Sequence, residues 1–510
     1  MRQDVVLLAP RDDVAVVLRA CAEGDRLTVP GRDAVTALGA IPRGHKTALR
    51  DLPAGALVRK YGHVIGVATR DIREGEHVHT HNLAMPEHAA TLSPGDDGVR
   101  QTEVPADLRR TFDGIVRPDG SVATRNYVGV LTTVNCSATV ARRIVRRTED
   151  DIAELGPEGV DGVVALTHGS GCGLASEGEG WELLRRTLVG YARHPNIGAL
   201  VVVGLGCEVN AVSSLMSELG LAEHVPVASF TIQDAGGTVD AIDRGEKLVR
   251  DLAAQLAGTR RTEVGVEHLV LGLKCGGSDA WSGLTANPAL GVAGDLLLAA
   301  GGASVLGETP EIYGAQGLLA GRAVRTEVAD ALLDRVAWWE RYTREHGTTL
   351  DGNPSPGNKE GGITTILEKS LGAVAKSGHS PLTAVRDYAE PVQRPGLTFM
   401  DTPGYDPVSV TGMIAGGANV VCFTTGRGSV FGSRPVPTVK LATNADVAWR
   451  LAGDMDVDCS PIVEEGTPVA ELGRRIYDHV LDVASGRRTL SEQLGLGGEE
   501  LVPWQKGAVL

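Results

Sequence analysis

The stretch Gly75-Glu-His77-Val-His79-Thr-His81-Asn82 sets three imidazoles at alternate positions. On a β-strand that spacing puts side chains on one face. Two or more imidazoles on such a face can share a metal, histidine being the commonest protein ligand. A surface strand with solvated rings is the ordinary alternative. Upstream, Gly44-His45-Lys46 places another imidazole and a cation in a turn.

Cysteine supplies a second set of candidates. Cys172, Cys207 and Cys275 each follow an apolar run, in the turns His168-Gly-Ser-Gly-Cys172-Gly, Leu205-Gly-Cys207-Glu208-Val-Asn210 and Lys274-Cys275-Gly-Gly-Ser278-Asp279. Cys136 opens a helix, where a thiol has a lowered pKa and can serve as ligand or nucleophile. Small residues tucked beneath tight turns are the plainer reading, since free cysteine is among the most buried residue types. Their spacing matches neither a zinc knuckle nor a ferredoxin run. Cys422, mid-strand between Val and Phe, reads as core.

The third feature is a Pro/Gly-rich loop, Gly352-Asn-Pro-Ser-Pro-Gly-Asn358-Lys359-Glu-Gly-Gly-Ile-Thr364-Thr365, that feeds a helix. Thr364 and Thr365 are candidate caps, and free amides at such a start favour an anion such as a carboxylate. Thr424-Thr-Gly-Arg427-Gly-Ser429 offers a further cation after an apolar run. No dinucleotide fingerprint, phosphate-binding loop or Gly-x-Ser-x-Gly elbow is present. No nucleotide is expected.

These turns need a scaffold that brings them together. Residues 1–88 read as a small β-rich module of short apolar runs and turns, and 89–112 as a Pro/Gly/Asp-rich linker. Beyond it, strand-like runs at 163–167, 199–204, 269–273, 303–306, 397–400, 420–423 and 438–441 alternate with helical stretches such as 209–219, 290–300 and 322–346. That alternation predicts α/β architecture: Rossmann-like domains with largely parallel sheets, divided into 113–385 and 386–510. In open α/β sheets ligands bind beyond the carboxyl ends of the strands, so the polar turns would converge on one edge.

Composition narrows the function class. The 510 residues carry a net charge of −15, which argues against nucleic acid but leaves room for a local anion pocket. No apolar run approaches a membrane span, and the start lacks a signal-peptide core. Seven cysteines are an odd, sparse set for a disulfide framework. A cytoplasmic enzyme with reduced thiols is expected.

The motifs together resemble the altronate/galactarate dehydratase family, nearly end to end. The matches include Arg43-Gly-His45-Lys46, the histidine stretch through Asn82, Gly204-Leu-Gly-Cys207-Glu208 and Cys275-Gly-Gly-Ser278-Asp279. They continue through Asn353-Pro-Ser-Pro-Gly-Asn358-Lys359, Gly361-Gly-Ile-Thr364-Thr, Thr425-Gly-Arg427-Gly, Val436-Pro-Thr-Val-Lys440 and the terminal Lys506-Gly-Ala-Val-Leu510. The turn at His168 looks like a family turn whose wording varies between subfamilies, and Cys459 matches nothing in the family.

The resemblance implies an N-terminal SAF-like (β-clip) domain that folds over the large domain as a lid. It also implies a hydro-lyase that turns a sugar acid, altronate first, into a 2-keto-3-deoxy acid. Such an enzyme uses a divalent metal, Fe²⁺ or alternatively Mn²⁺. A metal that grips the carboxylate and C2 hydroxyl makes the α-proton removable, a base takes it, and an acid helps the C3 hydroxyl leave. By resemblance His45, His79 and His81 lie in the site as metal ligands or acid/base groups; His77 falls outside the matched part. Cys136, Cys207 and Cys275 are further ligand candidates, and Glu208 and Asp279 are oxygen ligands or bases. Lys46, Asn82, Ser278, Asn358, Lys359, Thr364 and Arg427 are expected against the substrate. Galactarate as substrate, a C–S lyase of the sulfolactate type and a non-catalytic sugar-acid binding protein are the alternatives. A homodimer is the default for a soluble enzyme of this size.

Overall fold

The computed structural model describes residues 4–86, 103–154, 159–220 and 225–506. Most of the expected linker, and the end of the terminal Lys506–Leu510 motif, lie outside the described residues.

The N-terminal module is built from short antiparallel strands, as its brief apolar runs require. Val5–Val6, Val14–Val17, Lys46–Ala48 and His77–Val78 form one sheet in that order. Leu57–Lys60, His63–Ala68 and Leu83–Ala84 form another. Only His77 of the alternating histidines is on a strand; His79 and His81 sit in the turn that follows.

A four-stranded parallel sheet comes next, in the order Gly162–Leu166, Tyr127–Thr132, Ile197–Gly204, Val227–Thr231. Helices Ala138–Glu154 and Thr238–Leu256 cover one face, burying Val140, Ile144, Ile242 and Val249. Glu179–Ala192 and Val212–Leu219 cover the other, with Leu184, Leu188 and Leu215 inside. A sheet covered on both faces reads as continuous apolar runs, and every residue of Ile197–Gly204 is buried. Tyr127–Thr132 is internal to this sheet but was not expected from sequence. Its run is broken by Gly129, which lies close against Leu200 and Ile197.

The second sheet is parallel and seven-stranded, in the order Leu382–Arg386, Gly396–Met400, Ala303–Leu306, Val270–Cys275, Val420–Thr425, Thr438–Ala442, Val457–Asp458. Ala286–Ala299 packs with Val469–Ala484, where Gly473 lets Val292 approach. The expected division at 385/386 falls between neighbouring strands of this sheet and is corrected. Residues on both sides pair through Val385 with Phe399, and Ala303 with Gly396, so one core spans them. The break lies instead between the two parallel sheets. There Thr262–Gly265 pairs with Thr111–Val116 in a small bridging sheet.

Among the described residues no helix is long and apolar enough to cross a membrane.

Candidate functional site

The N-terminal module docks on the carboxyl edge of the seven-stranded sheet through a buried ion group. Lys46 and Lys60, on neighbouring short strands, both reach Glu368 of helix Ile366–Ala375: Lys46 Nζ is 2.9 Å and Lys60 Nζ 2.8 Å from its carboxylate. Thr364 donates to the same carboxylate from its backbone N–H and its hydroxyl, and Lys46 also donates to the Gly362 carbonyl at 2.7 Å. All three charged side chains are at most 1% exposed. Two cations share one anion, and burial beside a second ammonium pushes Lys46 down to about 8. Despite burial, the lysines hold Glu368 well below the usual carboxylate range.

This docking brings the imidazoles into register. His45 packs at 5.1 Å from His77 and 4.8 Å from His79, ring centre to ring centre, and His77 lies 5.5 Å from His79. Nitrogens of these three rings lie within 4.8 Å of one another. His45 Nε2 is 3.2 Å from the Glu360 carbonyl, which can only accept, so that nitrogen carries the proton. Its Nδ1 lone pair then faces His77 Nε2 at 3.0 Å. Burial first, then the neighbouring rings and Lys46, press His77 down to about 3; burial, Lys46 and His45 press His79 down to about 4. All are neutral near pH 7. His79 Nδ1 is buried and, among the described residues, has no hydrogen-bond partner.

That donor set fits a divalent metal. Metal binding requires neutral imidazoles, and a ligating histidine commonly donates its other N–H to a carbonyl or carboxylate, as His45 does to Glu360. An orphaned buried ring nitrogen is costly unless something occupies it. His77, which the sequence reading left outside, belongs to the group. The signal was present in its spacing, but turn geometry rather than a shared strand face makes the rings converge. His81 stays exposed at the rim, 5.3 Å from the His77 ring.

Several expected substrate contacts are engaged in holding this shape. Asn82 is fully buried; it accepts from the His79 N–H at 2.9 Å and donates to the His77 carbonyl at 2.9 Å. Asn358 completes a capping box with Ser355 and donates to the Ser278 carbonyl at 2.8 Å. Thr364 serves Glu368, and Lys46 is sealed in the ion group. Arg427 is exposed and pairs with Glu360 at 3.0 Å, which sets it beside the His45 contact; Lys359 is half-buried next to Glu360.

Asp279 is also committed. Its Oδ1 accepts from the N–H groups of Trp281 and Ser282 and the hydroxyls of Ser282 and Thr443, and its Oδ2 accepts from Asn444 at 2.8 Å. A carboxylate so fully occupied ties the Ser278–Ser282 turn to Thr443-Asn444. Burial outweighs these bonds and raises its pKa, so in this arrangement Asp279 acts as a structural tie.

Cys275 lies deeper, in a second buried charge group. Lys376 Nζ is 2.7 Å from its sulfur and 2.6 Å from Glu308. Lys274 pairs with Glu308 and with Asp406 at 3.1 Å, and Lys369 pairs with Glu311 at 2.9 Å. Burial and Glu308 push the Cys275 thiol up to about 11. Sγ of Cys275 and carboxylate oxygens of Glu308 and Glu311 lie within 4.8 Å of one another. Three ammonium groups already neutralise the carboxylates, so a metal here would first have to displace Lys376. The expected role of Cys275 as a ligand gains no support from this geometry. Glu308 holds a left-handed backbone (φ 68°), which aims it into the group. Glu308, Glu311, Lys369 and Lys376 were missed from sequence because their partners are far apart along the chain.

Cys136, Cys207 and Glu208 belong elsewhere, at the carboxyl edge of the four-stranded sheet. Glu208 accepts from the Thr133 hydroxyl at 2.6 Å and from the N–H groups of Gly206 and Leu205. These bonds outweigh burial and lower its pKa, and they anchor the loop. A cavity of about 560 Å³ beside Trp181, Arg186 and Gly416 has a lining that shares no residue with the imidazole group or the two buried charge groups.

Three family models match the chain in order. The SAF domain of altronate/galactarate dehydratases matches residues 3–86, the second domain of D-galactarate dehydratase/altronate hydrolase matches 114–257, and the C-terminal domain of D-galactarate/altronate dehydratase matches 266–509. The chain is 34% identical to altronate dehydratase of Bacillus subtilis and 36% identical to altronate dehydratase of Escherichia coli, each alignment covering 98% of both chains. It is 36% identical to galactarate dehydratase (L-threo-forming) of Escherichia coli, over 95% of this chain and 94% of that one.

Proposed function

The chain belongs to the altronate/galactarate dehydratase family, and on that premise we propose that it is a hydro-lyase that removes water from a sugar acid, altronate, to give a 2-keto-3-deoxy acid. The observation that carries this reading is the convergence of His45, His77 and His79 where the N-terminal module meets the Pro/Gly-rich loop.

His45, His77 and His79 would hold a divalent metal, Fe²⁺ or Mn²⁺. When bound, such an ion polarises the substrate carboxylate and C2 hydroxyl and makes the α-proton removable. The chain's own residues do the rest. Arg427 and Lys359, at the open rim, attract and orient the carboxylate. His81, exposed and outside the ligand group, takes the α-proton. Asn82 fixes the turn so that His77 and His79 keep their spacing, and Glu360 fixes the tautomer of His45. Glu368 with Lys46 and Lys60 clamps the module in place.

The test is a substrate panel on anaerobically purified protein loaded with Fe²⁺ or Mn²⁺. Altronate is expected to yield 2-keto-3-deoxy acid, with loss of turnover in His79→Ala. Turnover of galactarate alone would move the substrate assignment. Silence across aldonates and aldarates, with metal bound, would remove the dehydratase reading.

A further inference from the structure

Four of the seven cysteines, Cys21, Cys275, Cys422 and Cys459, are buried; Cys136, Cys172 and Cys207 are exposed. Free cysteine is normally among the most buried residues, and the exposed three are not scattered. Each follows one of three adjacent strands of the four-stranded sheet: Tyr127–Thr132, Gly162–Leu166 and Ile197–Gly204. All pairing among these strands is parallel, so the loops leave the same edge. Tyr127–Thr132 has its sequence neighbour on one side and Ile197–Gly204 on the other, so this edge holds the crevice where such sheets bind ligands.

The loops are stitched together. Asn135 N–H donates to the Ser170 carbonyl at 2.9 Å, Asn210 N–H to the Gly171 carbonyl at 3.3 Å, and the Asn210 amide to the Thr133 carbonyl at 2.7 Å. A Cβ at Gly171 would strike Thr133 and Val134, so glycine there allows the Cys172 turn to press on the Cys136 turn. Cys136 lies in the turn that opens the 17-residue helix Ala138–Glu154, and the helix Val212–Leu219 starts beyond Cys207. Helix starts stabilise an anionic group.

We propose that Cys136, Cys172 and Cys207 ligate a 4Fe–4S cluster at this edge, with one iron left without a protein ligand. Each thiol gives its proton to solvent. Two ferrous and two ferric ions with four sulfides make a core of charge 2+, and three thiolates bring the site to 1−. Among the described residues only two groups bring three such ligand atoms within 4.8 Å of one another, and these cysteines are not one of them. Thiolates that each bind a different iron sit farther apart than ligands sharing one ion.

Three polar side chains beside these loops are already engaged. Glu208 is occupied as described. His168 Nε2 donates to the Thr132 carbonyl at 3.1 Å, and its Nδ1 accepts from the Ser170 N–H at 3.2 Å. Asn210 accepts from Arg185 at 2.8 Å. A cavity of about 250 Å³, lined by His168, Ser170, Leu174, Trp504 and Lys506, opens beside the Cys172 turn. It gives a small oxygen-bearing ligand, a carboxylate or hydroxyl, access from the Lys506 side. The site is separate from the imidazole group and does not depend on it.

The test is reconstitution of the anaerobic full-length protein with ferrous and ferric iron, sulfide and a thiol. Expected are about four acid-labile sulfides per chain, with about four irons in His79→Ala and about one more in the parent, whose imidazole group also takes Fe²⁺, and a visible charge-transfer band that bleaches on one-electron reduction with appearance of an EPR signal. Cys136→Ser, Cys172→Ser and Cys207→Ser should each lose at least about half of the sulfide; Cys21→Ser and His79→Ala should keep it. Because the three thiols are exposed, the serine variants should melt with the unreconstituted parent, which separates cluster loss from misfolding. Iron bound without sulfide, zinc bound instead, or sulfide retained in all three serine variants would overturn the proposal. None of these readouts is turnover, so the dehydratase reading stands or falls apart from it.

Discussion

Replacing Glu368 by glutamine tests how the N-terminal module is held. The substitution keeps size and one acceptor but removes the anion that pairs with Lys46 and Lys60, both fully buried. Removing one partner of a buried ion pair costs about 3–5 kcal/mol. An independent route reaches a similar figure. With Glu368 gone, Lys46 would be forced neutral at pH 7 although its unfolded value is 10.5. At about 1.4 kcal/mol per pH unit that costs roughly 5 kcal/mol. The sign follows from linkage: with Lys46 depressed, the undocked state binds more protons than the docked one between pH 7 and about 10, so docking strengthens as pH rises. Native-state hydrogen exchange reads this directly. Amides of Lys46–Ala48, Leu57–Lys60 and Ile366–Ala375 should exchange on the order of a hundred- to a thousandfold faster at pH 7, and recover part of their protection at pH 9. Replacing Lys46, Lys60 and Glu368 together by methionine should cost less than Glu368→Gln alone, because no uncompensated charge remains. Unchanged protection in Glu368→Gln, or a triple variant worse than the single one, would refute the electrostatic account.

Other outcomes follow from the same geometry. His79→Ala should weaken Mn²⁺ binding, read by calorimetry, by more than tenfold, and Asn82→Ala by roughly 10–100-fold, since Asn82 only orients the turn. Asp279→Asn sets an N–H against the Asn444 amide donor and should lower the melting midpoint by the equivalent of about 1–3 kcal/mol even without metal or substrate; an unshifted melt would return Asp279 to the list of bases. Burial holds His168 and His194 down to about 4 against an unfolded value of 6.5. Below pH 6.5 the unfolded chain therefore takes up protons that the fold refuses, and stability should fall between pH 6.5 and about 4, by on the order of 3 kcal/mol for each ring. A melting midpoint flat across that window, or His194→Gln leaving the slope unchanged, would contradict it.

Local pattern carried much of the architecture. The runs at 199–204, 303–306 and 420–423 are apolar throughout because both faces of their sheets are covered, and each is a strand in place. Tyr127–Thr132 was illegible because glycine and polar neighbours dilute its run. The 385/386 division failed because a Pro/Gly-rich stretch between two strands of one sheet looks the same as one between two domains. Within the site, His45, His79, Lys359 and Arg427 were legible as residue types in turns. The dispositions of Asn82, Asn358, Thr364 and Asp279 were not, since a motif names a residue without saying whether its hydrogen bonds are already taken.

The sequence by itself determined the β-rich module, the parallel α/β sheets and the polar turns at their carboxyl ends, because periodicity and turn chemistry act over a few residues. Only the tertiary structure decided which turns share a site. Glu368 meets Lys46 and Lys60 across some 300 positions of chain, and His45 reaches the Glu360 carbonyl across 315. Those contacts, together with the burial that strips water from the imidazoles, set which groups stay neutral, which charges are locked, and which thiols are left facing solvent. Burial and charge balance are properties of the packed chain, and no local spacing encodes them.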